Sequence, residues 1–146
     1  MLLILKTDEL LKYLKILLIE DDAIEVMKFK RVLSNLGLNY TIIEANNGEE
    51  ALNLLNIKDQ IPNLILLDLN MPRIDGIEFL SNLKKNDKLK HIPAVVLTTS
   101  NNFKDLKKCY EIGIAGYILK PLKYEEYRTK IENLLTYWSM NELIIK

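Results

Sequence analysis

Cysteine and histidine are nearly absent from this chain, which has one of each among its 146 residues. The lone cysteine, Cys109, excludes an internal disulfide bond and fits a protein that works in a reducing compartment. One cysteine and one histidine cannot complete a structural zinc site. Cys109 is expected to be a half-buried helix residue, and His91, in a polar loop, is expected on the surface without a chemical role.

An excess of charge and a long apolar run are missing as well. Lysine plus arginine equal aspartate plus glutamate at 20 each, so the formal net charge is zero and no general attraction to nucleic acid or anionic membrane is expected. No apolar run approaches the ~20 residues of a membrane-spanning helix. The apolar start is interrupted by Lys6, Asp8 and Glu9 and lacks a cleavage site, so it is not a signal peptide. The sequence predicts a cytoplasmic protein with no nucleic acid or membrane partner.

Linkers rich in proline, glycine or serine, internal repeats and low-complexity segments are also lacking. With 146 residues, the chain is long enough for one hydrophobic core and one domain. We predict an N-terminal extension over residues 1–14, one domain over residues 15–138 and a tail over residues 139–146, without an output domain. Within the extension, residues 7–14 are predicted to form an amphipathic turn that packs on this domain or a second subunit.

What the sequence does contain is an alternation of five short apolar runs and five helical patterns. The runs are apolar nearly throughout, which is typical of strands buried on both faces, except the second, which is predicted to be an edge strand. Strict alternation indicates a parallel sheet with right-handed crossovers and helices on both faces, an α/β fold. The predicted strands are Ile16–Ile19, Tyr40–Glu44, Leu64–Leu67, Ala94–Leu97 and Gly116–Leu119, and the predicted helices are Asp22–Leu36, Gly48–Asn56, Gly76–Lys84, Asn102–Ile112 and Lys123–Trp138.

Local signals mark the ends of the first helix and one of its faces. Asp22 is expected to cap its start, where acids are favourable, and Gly37 is a signal for its end. The apolar residues that recur at spacings near 3.6, as on one face of a helix, are Ile24, Met27, Val32, Leu33 and Leu36.

Polar and charged residues follow four of the predicted strands at the point where each strand ends. Asp68 follows the third strand, Glu20 and Asp21 follow the first, and Thr98 and Lys120 follow the fourth and fifth. In an open α/β sheet, ligands bind at the carboxyl ends of the strands. Acids, a hydroxyl and a cation gathered there predict a site for a divalent metal ion and a phosphoryl group.

Four separated segments resemble, in order, the motifs of the receiver domain of two-component response regulators. The resemblance covers Lys15–Leu135 and implies a flavodoxin-like (βα)5 doubly wound sheet with strand order 2-1-3-4-5, similar to chemotaxis regulators. Each segment alone is a weak signal, whereas four in order at the ends of predicted strands are specific. The segments are Ile16–Asp22, Leu66–Gly76, Val95–Ser100 and Ala115–Leu122.

A finer resemblance links the chain to stand-alone receivers that pair with bacteriophytochrome-type histidine kinases. It is carried by Thr98–Ser100, by Asp105–Gly113 and by the pair Tyr137 and Trp138. It implies that the phosphoryl donor is a sensor histidine kinase of the phytochrome type.

The family resemblance implies that Asp68 is the phosphoacceptor, a carboxylate nucleophile that forms an acyl phosphate. It also implies a Mg²⁺ ion, for which Mn²⁺ or Ca²⁺ can substitute. The expected ligands are Asp68, Asp21 directly, Glu20 in an assisting role and the main-chain carbonyl of Asn70. Lys120 and the metal would stabilise the charge on the transferred phosphoryl group.

Thr98 and Tyr117 are the switch residues that the resemblance implies. The Thr98 hydroxyl would bond a phosphoryl oxygen and draw the following loop inward, and Tyr117 would rotate into the space vacated. The alternative for Tyr117 is a plain core aromatic. Pro121 follows Lys120, and the family often holds that peptide bond cis, an isomer largely confined to bonds before proline.

Some positions depart from the commonest family pattern. Thr99 stands where a small residue is usual, so its bulk is expected to narrow access and slow both phosphorylation and hydrolysis. Asn70 and Ser100 occupy the two variable positions that flank the attacking water. Neither is a strong general base, which predicts a phosphoryl lifetime of moderate length.

The expected function is a phosphorylation-dependent signalling switch and not an enzyme. The switched protein would act on a downstream protein or its own copy, as a homodimer, through the fourth helix, fifth strand and fifth helix, with apolar tail residues 143–145 able to contribute. One alternative is a binding module of this fold that no longer switches, against which the intact acids count. The other is a Mg²⁺-dependent hydrolase with an aspartyl-phosphate intermediate, which would need an aspartate where Asn70 stands.

Overall fold

The computed structural model describes residues 14–36 and 40–144. Residues 7–13 of the predicted N-terminal turn, the helix-end signal Gly37 and Ile145 of the tail lie outside the described residues. The elements follow the predicted alternation, with ends that differ by one residue at most. The strands are β1 Lys15–Ile19, β2 Thr41–Ala45, β3 Leu64–Leu67, β4 Ala94–Thr98 and β5 Gly116–Leu119, and the helices are α1 Ala23–Asn35, α2 Gly48–Leu55, α3 Gly76–Lys85, α4 Phe103–Ile112 and α5 Tyr124–Ser139, with a 3-10 turn at Lys58–Gln60.

The five strands form one parallel sheet in the order β2-β1-β3-β4-β5. This arrangement confirms the predicted flavodoxin-like fold and places β2 at an edge, as predicted. Because β1, β3 and β4 are neighbours, the residues that follow or end them come side by side at the carboxyl edge of the sheet. The fold therefore brings Glu20, Asp68 and Thr98 together from positions far apart in the sequence.

Two hydrophobic clusters, one on each face of the sheet, hold the helices in place. Alternate strand side chains point to opposite faces. Leu17 and Ile19 of β1 join the cluster covered by α2, α3 and α4, whereas Ile16 and Leu18 join the cluster covered by α1 and α5. Helices therefore cover both faces, and the strands between them are apolar nearly throughout, as the sequence predicts.

Helix α1 shows where the apolar pattern alone is insufficient. Asp22 caps the helix as predicted, because its Oδ1 accepts a hydrogen bond from the Ile24 N–H at 2.9 Å. Phe29 and Val32 are buried, whereas Ile24 and Met27 are 68% and 69% exposed. The step from Met27 to Val32 is five residues, about 1.4 helical turns, so Ile24 and Met27 lie on the side of α1 away from the core, while Val26 of the same turn packs against it. The apolar residues predicted to share one face of α1 therefore do not all do so.

Cys109 of α4 is fully buried in the core and not half-buried as the sequence predicts. Burial raises the pKa of its thiol to about 11, so the side chain stays neutral and packs as a small apolar group. His91 is exposed, as predicted.

The described part of the C-terminal tail packs on its own domain. Leu143 contacts the cluster beneath α1 and α5, and the Ile144 carbonyl accepts a hydrogen bond from Asn63 Nδ2 at 3.4 Å. Within residues 14–36 and 40–144, no helix combines the length and the apolar character that crossing a bilayer requires.

Candidate functional site at the carboxyl edge of the sheet

Asp68 lies at the carboxyl end of the central strand β3. Its backbone N–H donates to the Ile19 carbonyl at 3.1 Å, which continues the pairing of β3 with β1. The residue is 9% exposed. Its Oδ1 accepts hydrogen bonds from Thr98 Oγ1 at 2.7 Å and from the Asn70 N–H at 3.2 Å. One carboxylate oxygen is thus oriented by two donors, while the other faces the centre of the site.

Lys120 supplies the positive charge of the site. Its backbone N–H donates to the Thr98 carbonyl at 2.8 Å, which fixes the end of β5 beside β4. Its Nζ lies 3.1 Å from Glu20 Oε2, 3.4 Å from Asp68 Oδ2 and 3.6 Å from Glu25 Oε2. Because the Lys120 side chain is only 6% exposed, solvent and salt screen these attractions weakly.

Glu20, Asp21 and Asp68 form an acidic cluster whose chemistry suits a hard divalent cation. One carboxylate oxygen of each lies within 4.8 Å of the others. Oxygen ligands at this density are the donors that Mg²⁺ prefers, with water completing its shell. Glu20 is buried and Asp21 is exposed, so the cluster opens to solvent on the Asp21 side and an ion can enter there.

Burial and mutual proximity perturb the charges of the site. Burial raises the pKa of Glu20 to about 7, against the opposing attraction of Lys120. Burial also acts to lower the pKa of Lys120, but its ion pairs with Glu20 and Asp68 outweigh burial and the pKa of Lys120 is raised. A divalent cation beside Glu20 would favour the ionised carboxylate. The site therefore carries more negative charge than one lysine neutralises.

The loop after Asp68 is held by close backbone packing. Gly76 begins α3, and a Cβ atom there would lie 2.7 Å from the Asp68 carbonyl oxygen. The Gly76 N–H donates to the Leu69 carbonyl at 3.2 Å. Arg73 in this loop has a φ of 63°, in the left-handed region that few residues other than glycine adopt. The absence of a side chain at Gly76 lets the helix start directly beside the acidic cluster.

The predicted switch residues Thr98 and Tyr117 are connected through the backbone of Ser100. Thr98 is fully buried, and its Oγ1 accepts a hydrogen bond from the Ser100 N–H at 3.2 Å. The Tyr117 hydroxyl donates to the Ser100 carbonyl at 2.7 Å. Tyr117 is half-buried and packs against the core. This position is compatible both with a plain core aromatic and with a switch residue. Ser100 links the two predicted switch residues directly.

Two further residues predicted from the sequence, Thr99 and Pro121, directly follow Thr98 and Lys120 in the chain. Thr99 is exposed and lies directly after β4, which ends at Thr98. The peptide bond between Lys120 and Pro121 is trans.

Glu25 is a site residue that the sequence prediction missed. It lies in the first turn of α1 and brings a further carboxylate to Lys120, with an Nζ to Oε2 distance of 3.6 Å. Its Oε2 atom is buried and has no hydrogen-bond partner. The available signal was its position five residues after Glu20, one helical turn into α1, but an acid in a first turn is also explained by the helix dipole.

Comparison with known proteins identifies the family. Residues 16–132 match the family described as the response regulator receiver domain. The chain belongs to the response regulator receiver family. This receiver is 36% identical over 127 residues to "Probable methanogenesis regulatory protein FilR2" of Methanothrix harundinacea, covering 84% of this chain and 82% of FilR2. It is 34% identical over 128 residues to the response regulator Rcp1 of Synechocystis, covering 84% of this chain and 87% of Rcp1.

Solved structures agree with this assignment. The Mn²⁺-bound form of Rcp1 superposes with a TM-score of 0.81 at 33% identity, covering 89% of this receiver and 98% of that chain. The phosphorylated cyanobacterial phytochrome response regulator RcpA superposes with a TM-score of 0.83 at 31% identity, covering 90% and 98%. The resemblance to receivers of phytochrome systems that the sequence indicated is confirmed.

Proposed function

We propose that this receiver accepts a phosphoryl group from a histidine kinase on Asp68 and then switches a surface that binds another protein. The observation that carries the proposal is the arrangement of charged and polar groups around the Asp68 carboxylate. Thr98 Oγ1 bonds one of its oxygens at 2.7 Å, Lys120 Nζ lies 3.4 Å from the other, and two further acids lie within 4.8 Å. A nucleophile, a cation and a metal-binding acidic pair around one point are what phosphoryl transfer requires.

Glu20, Asp21 and Asp68 would hold Mg²⁺, with the main-chain carbonyl of Asn70 as a further ligand. When bound, Mg²⁺ supplies the positive charge that lets an anionic phosphoryl donor approach an anionic nucleophile. Lys120 now pairs with Glu20 and Asp68, and it would turn to the phosphoryl oxygens once they arrive. This lysine contributes electrostatic stabilisation of the charge that the transferring group carries.

Thr98, Ser100 and Tyr117 would convert phosphorylation into a change of surface. Thr98 Oγ1 leaves Asp68 Oδ1 to bond a phosphoryl oxygen, and the Ser100 N–H that it holds moves with it. Movement of Ser100 disturbs the 2.7 Å bond between its carbonyl and the Tyr117 hydroxyl. Tyr117 is then free to rotate, which alters the face formed by α4, β5 and α5.

An exposed apolar surface beside the site suits a docking kinase. Ile24 and Met27 on α1 are 68% and 69% exposed, and Leu122 after β5 is 99% exposed. The contact between Glu25 and Lys120 brings these two segments together, because Ile24 adjoins Glu25 and Leu122 is two residues from Lys120. We propose that the donor kinase covers these side chains while its phosphohistidine reaches Asp68.

The similarity to RcpA supports a sensor kinase of the phytochrome type as the partner. We place this phosphoryl transfer in the cytoplasm, where a free cysteine such as Cys109 stays reduced.

The face formed by α4, β5 and α5 is our candidate for the output surface. A groove of about 590 Å³ lies between the edge strand β5 and α5. Tyr137 and Trp138 pack edge to face along it, with ring centroids 5.2 Å apart. An apolar groove at a sheet edge, adjacent to Tyr117, fits either a downstream protein or a second copy of this chain as a homodimer.

The two alternatives from the sequence differ from this proposal in their chemistry. A hydrolase of the aspartyl-phosphate class needs an acid/base two residues after the nucleophile. Asn70 occupies that position and uses its N–H to orient Asp68 Oδ1. A module that no longer switches has no need of a complete set of Glu20, Asp21, Thr98 and Lys120 around the carboxylate. We therefore propose a switch and not an enzyme.

Intact mass after incubation with phosphoramidate and Mg²⁺ tests the proposal. The native protein should gain one phosphoryl group, while Asp68→Asn and a sample with EDTA should gain none. Mn²⁺ or Ca²⁺ in place of Mg²⁺ shows which cations substitute. Asp75→Asn is the matched control, because Asp75 caps α3 from the same loop and should leave phosphorylation intact. A native protein that takes up nothing from phosphoramidate or from a kinase would favour the non-switching module.

A further inference from the structure

A favourable interaction with the start of α1 does not by itself explain the position of the Glu25 carboxylate. Its Oε1 pairs with Lys28 Nζ at 3.3 Å along the helix. Its Oε2 is buried, lacks a hydrogen-bond partner and lies 3.6 Å from Lys120 Nζ. A buried carboxylate oxygen without a hydrogen bond is costly, and its position in a native fold requires an explanation.

The explanation comes from the competition for Lys120. Lys120 Nζ is nearest to Glu20 and Asp68, at 3.1 and 3.4 Å. A cation held by the same two carboxylates competes with the lysine for their charge. Lys120 then needs another anion to remain buried, because an uncompensated ammonium in this environment is unfavourable. The Glu25 oxygen lies just outside hydrogen-bond distance and can take that place after a movement of less than about 1 Å.

We propose that Glu25 is a positioning residue that holds Lys120 over the phosphoryl site once a divalent cation occupies the acidic cluster. Glu25 acts through Lys120 and touches neither the phosphoryl group nor the metal. The inference rests on the proposed phosphoryl transfer to Asp68 and adds a residue from α1 to it.

Helix α1 also explains why Glu25 stays in place. Lys28, the partner of its other oxygen, sits over the buried ring of Tyr127 on α5, with Nζ 4.6 Å from the centroid. This cation–π contact fixes Lys28 and, through it, the Glu25 carboxylate. The acid that positions Lys120 is therefore itself anchored to the neighbouring helix α5.

A double-variant cycle tests the proposal with phosphoramidate as donor and Mg²⁺ at saturation. Glu25→Gln keeps the shape and removes the charge, and it should slow phosphorylation about tenfold, the scale of one lost charge-assisted contact. In a Lys120→Gln background, the same substitution should change the remaining rate by less than about twofold, because its target is gone. Glu126→Gln, an exposed acid in the first turn of α5, is the matched control and should match the native rate.

A spectroscopic measurement separates positioning from general support of the fold. In protein labelled with 15N-lysine, Lys120→Gln assigns the Lys120 ammonium signal, which should shift in Glu25→Gln and not in Glu126→Gln. The proposal would be overturned if Glu25→Gln kept both the native phosphorylation rate and the native chemical shift of the Lys120 ammonium. It would also be overturned if Glu25→Gln slowed phosphorylation equally with and without Lys120. Failure of the native protein to take up phosphoryl would instead refute the proposed function, while the ammonium shift would still report whether Glu25 positions Lys120.

Discussion

The two ends of the parallel sheet use their buried polar side chains in opposite ways. At the amino end, Asn63 Oδ1 accepts from the Lys15 N–H at 2.7 Å, and its amide donates to the Ile144 carbonyl at 3.4 Å. Nearby, Lys84 Nζ donates to the Lys90 carbonyl at 3.0 Å. Each of these groups has a backbone partner: Asn63 ties the tail to the start of β1, and Lys84 ties α3 to the loop before β4.

The carboxyl end is organised around unbalanced charge. Glu20, Asp21 and Asp68 gather with one cation among the described residues, Lys120, and Glu25, which also pairs with Lys28, adds a fourth carboxylate. Repulsion among these acids reduces stability, as is common at sites that bind a charged ligand. The comparison teaches that burial of a polar side chain does not by itself mark a candidate functional residue. The candidates are the charged groups that the fold leaves without enough hydrogen-bond or ion-pair partners.

The largest expected effect comes from removing Lys120, the cation that pairs with Glu20 and Asp68. In EDTA at pH 7, Lys120→Met should lower the free energy of unfolding by ~3 kcal/mol, because buried acids lose their compensating charge. Mg²⁺ should restore most of this loss, since the metal replaces the lysine charge. Urea denaturation followed by circular dichroism, with and without Mg²⁺, measures both effects.

Lys30→Met is the control for that experiment. Lys30 pairs with Glu44 at 2.9 Å, but their side chains are 49% and 44% exposed. Exposed pairs contribute little, so the loss should stay within about 0.5 kcal/mol and should not depend on Mg²⁺. Equal losses in the two variants would mean that the cluster is no more sensitive to charge than the surface.

A smaller effect is expected at the amino end, and on stability alone. Asn63→Ala should lower the free energy of unfolding by ~2 kcal/mol, because the Lys15 N–H is left without its partner. Phosphorylation should keep its native rate, since Asn63 lies five residues before Asp68, about 16 Å away along the strand. Asn53→Ala, an exposed asparagine on α2, is the control. A slowed phosphorylation in Asn63→Ala at native-like folding would contradict the division between the two ends.

The carboxyl-end set was predictable from the sequence because a parallel sheet converts strand ends into neighbours. Asp68, Thr98 and Lys120 each end or follow an apolar run, and the alternation of strands and helices is enough to bring such positions to one edge. Their roles in transfer and switching stay predictions. The helix cap Asp22 follows from local rules and is confirmed.

What the sequence could not supply is the way that helices meet the site. Glu25 looks like any acid of a first turn, and only the contact of α1 with the end of β5 brings it to Lys120. Periodicity gives the spacing of residues along one helix, whereas this contact depends on tertiary packing between elements.

The smallest expected effect concerns the bond between the Tyr117 hydroxyl and the Ser100 carbonyl, at 2.7 Å. Tyr117→Phe should lower the stability of the unphosphorylated protein by about 1 kcal/mol, as for one neutral hydrogen bond. If phosphorylation releases Tyr117 from Ser100, the phosphorylated forms of the native protein and Tyr117→Phe should unfold at the same urea concentration. Tyr110→Phe, at a tyrosine that is 53% exposed, should change neither form. A difference between Tyr117→Phe and native protein that persists after phosphorylation would show that Tyr117 keeps its bond to Ser100, and that the surface change must begin elsewhere than at Tyr117.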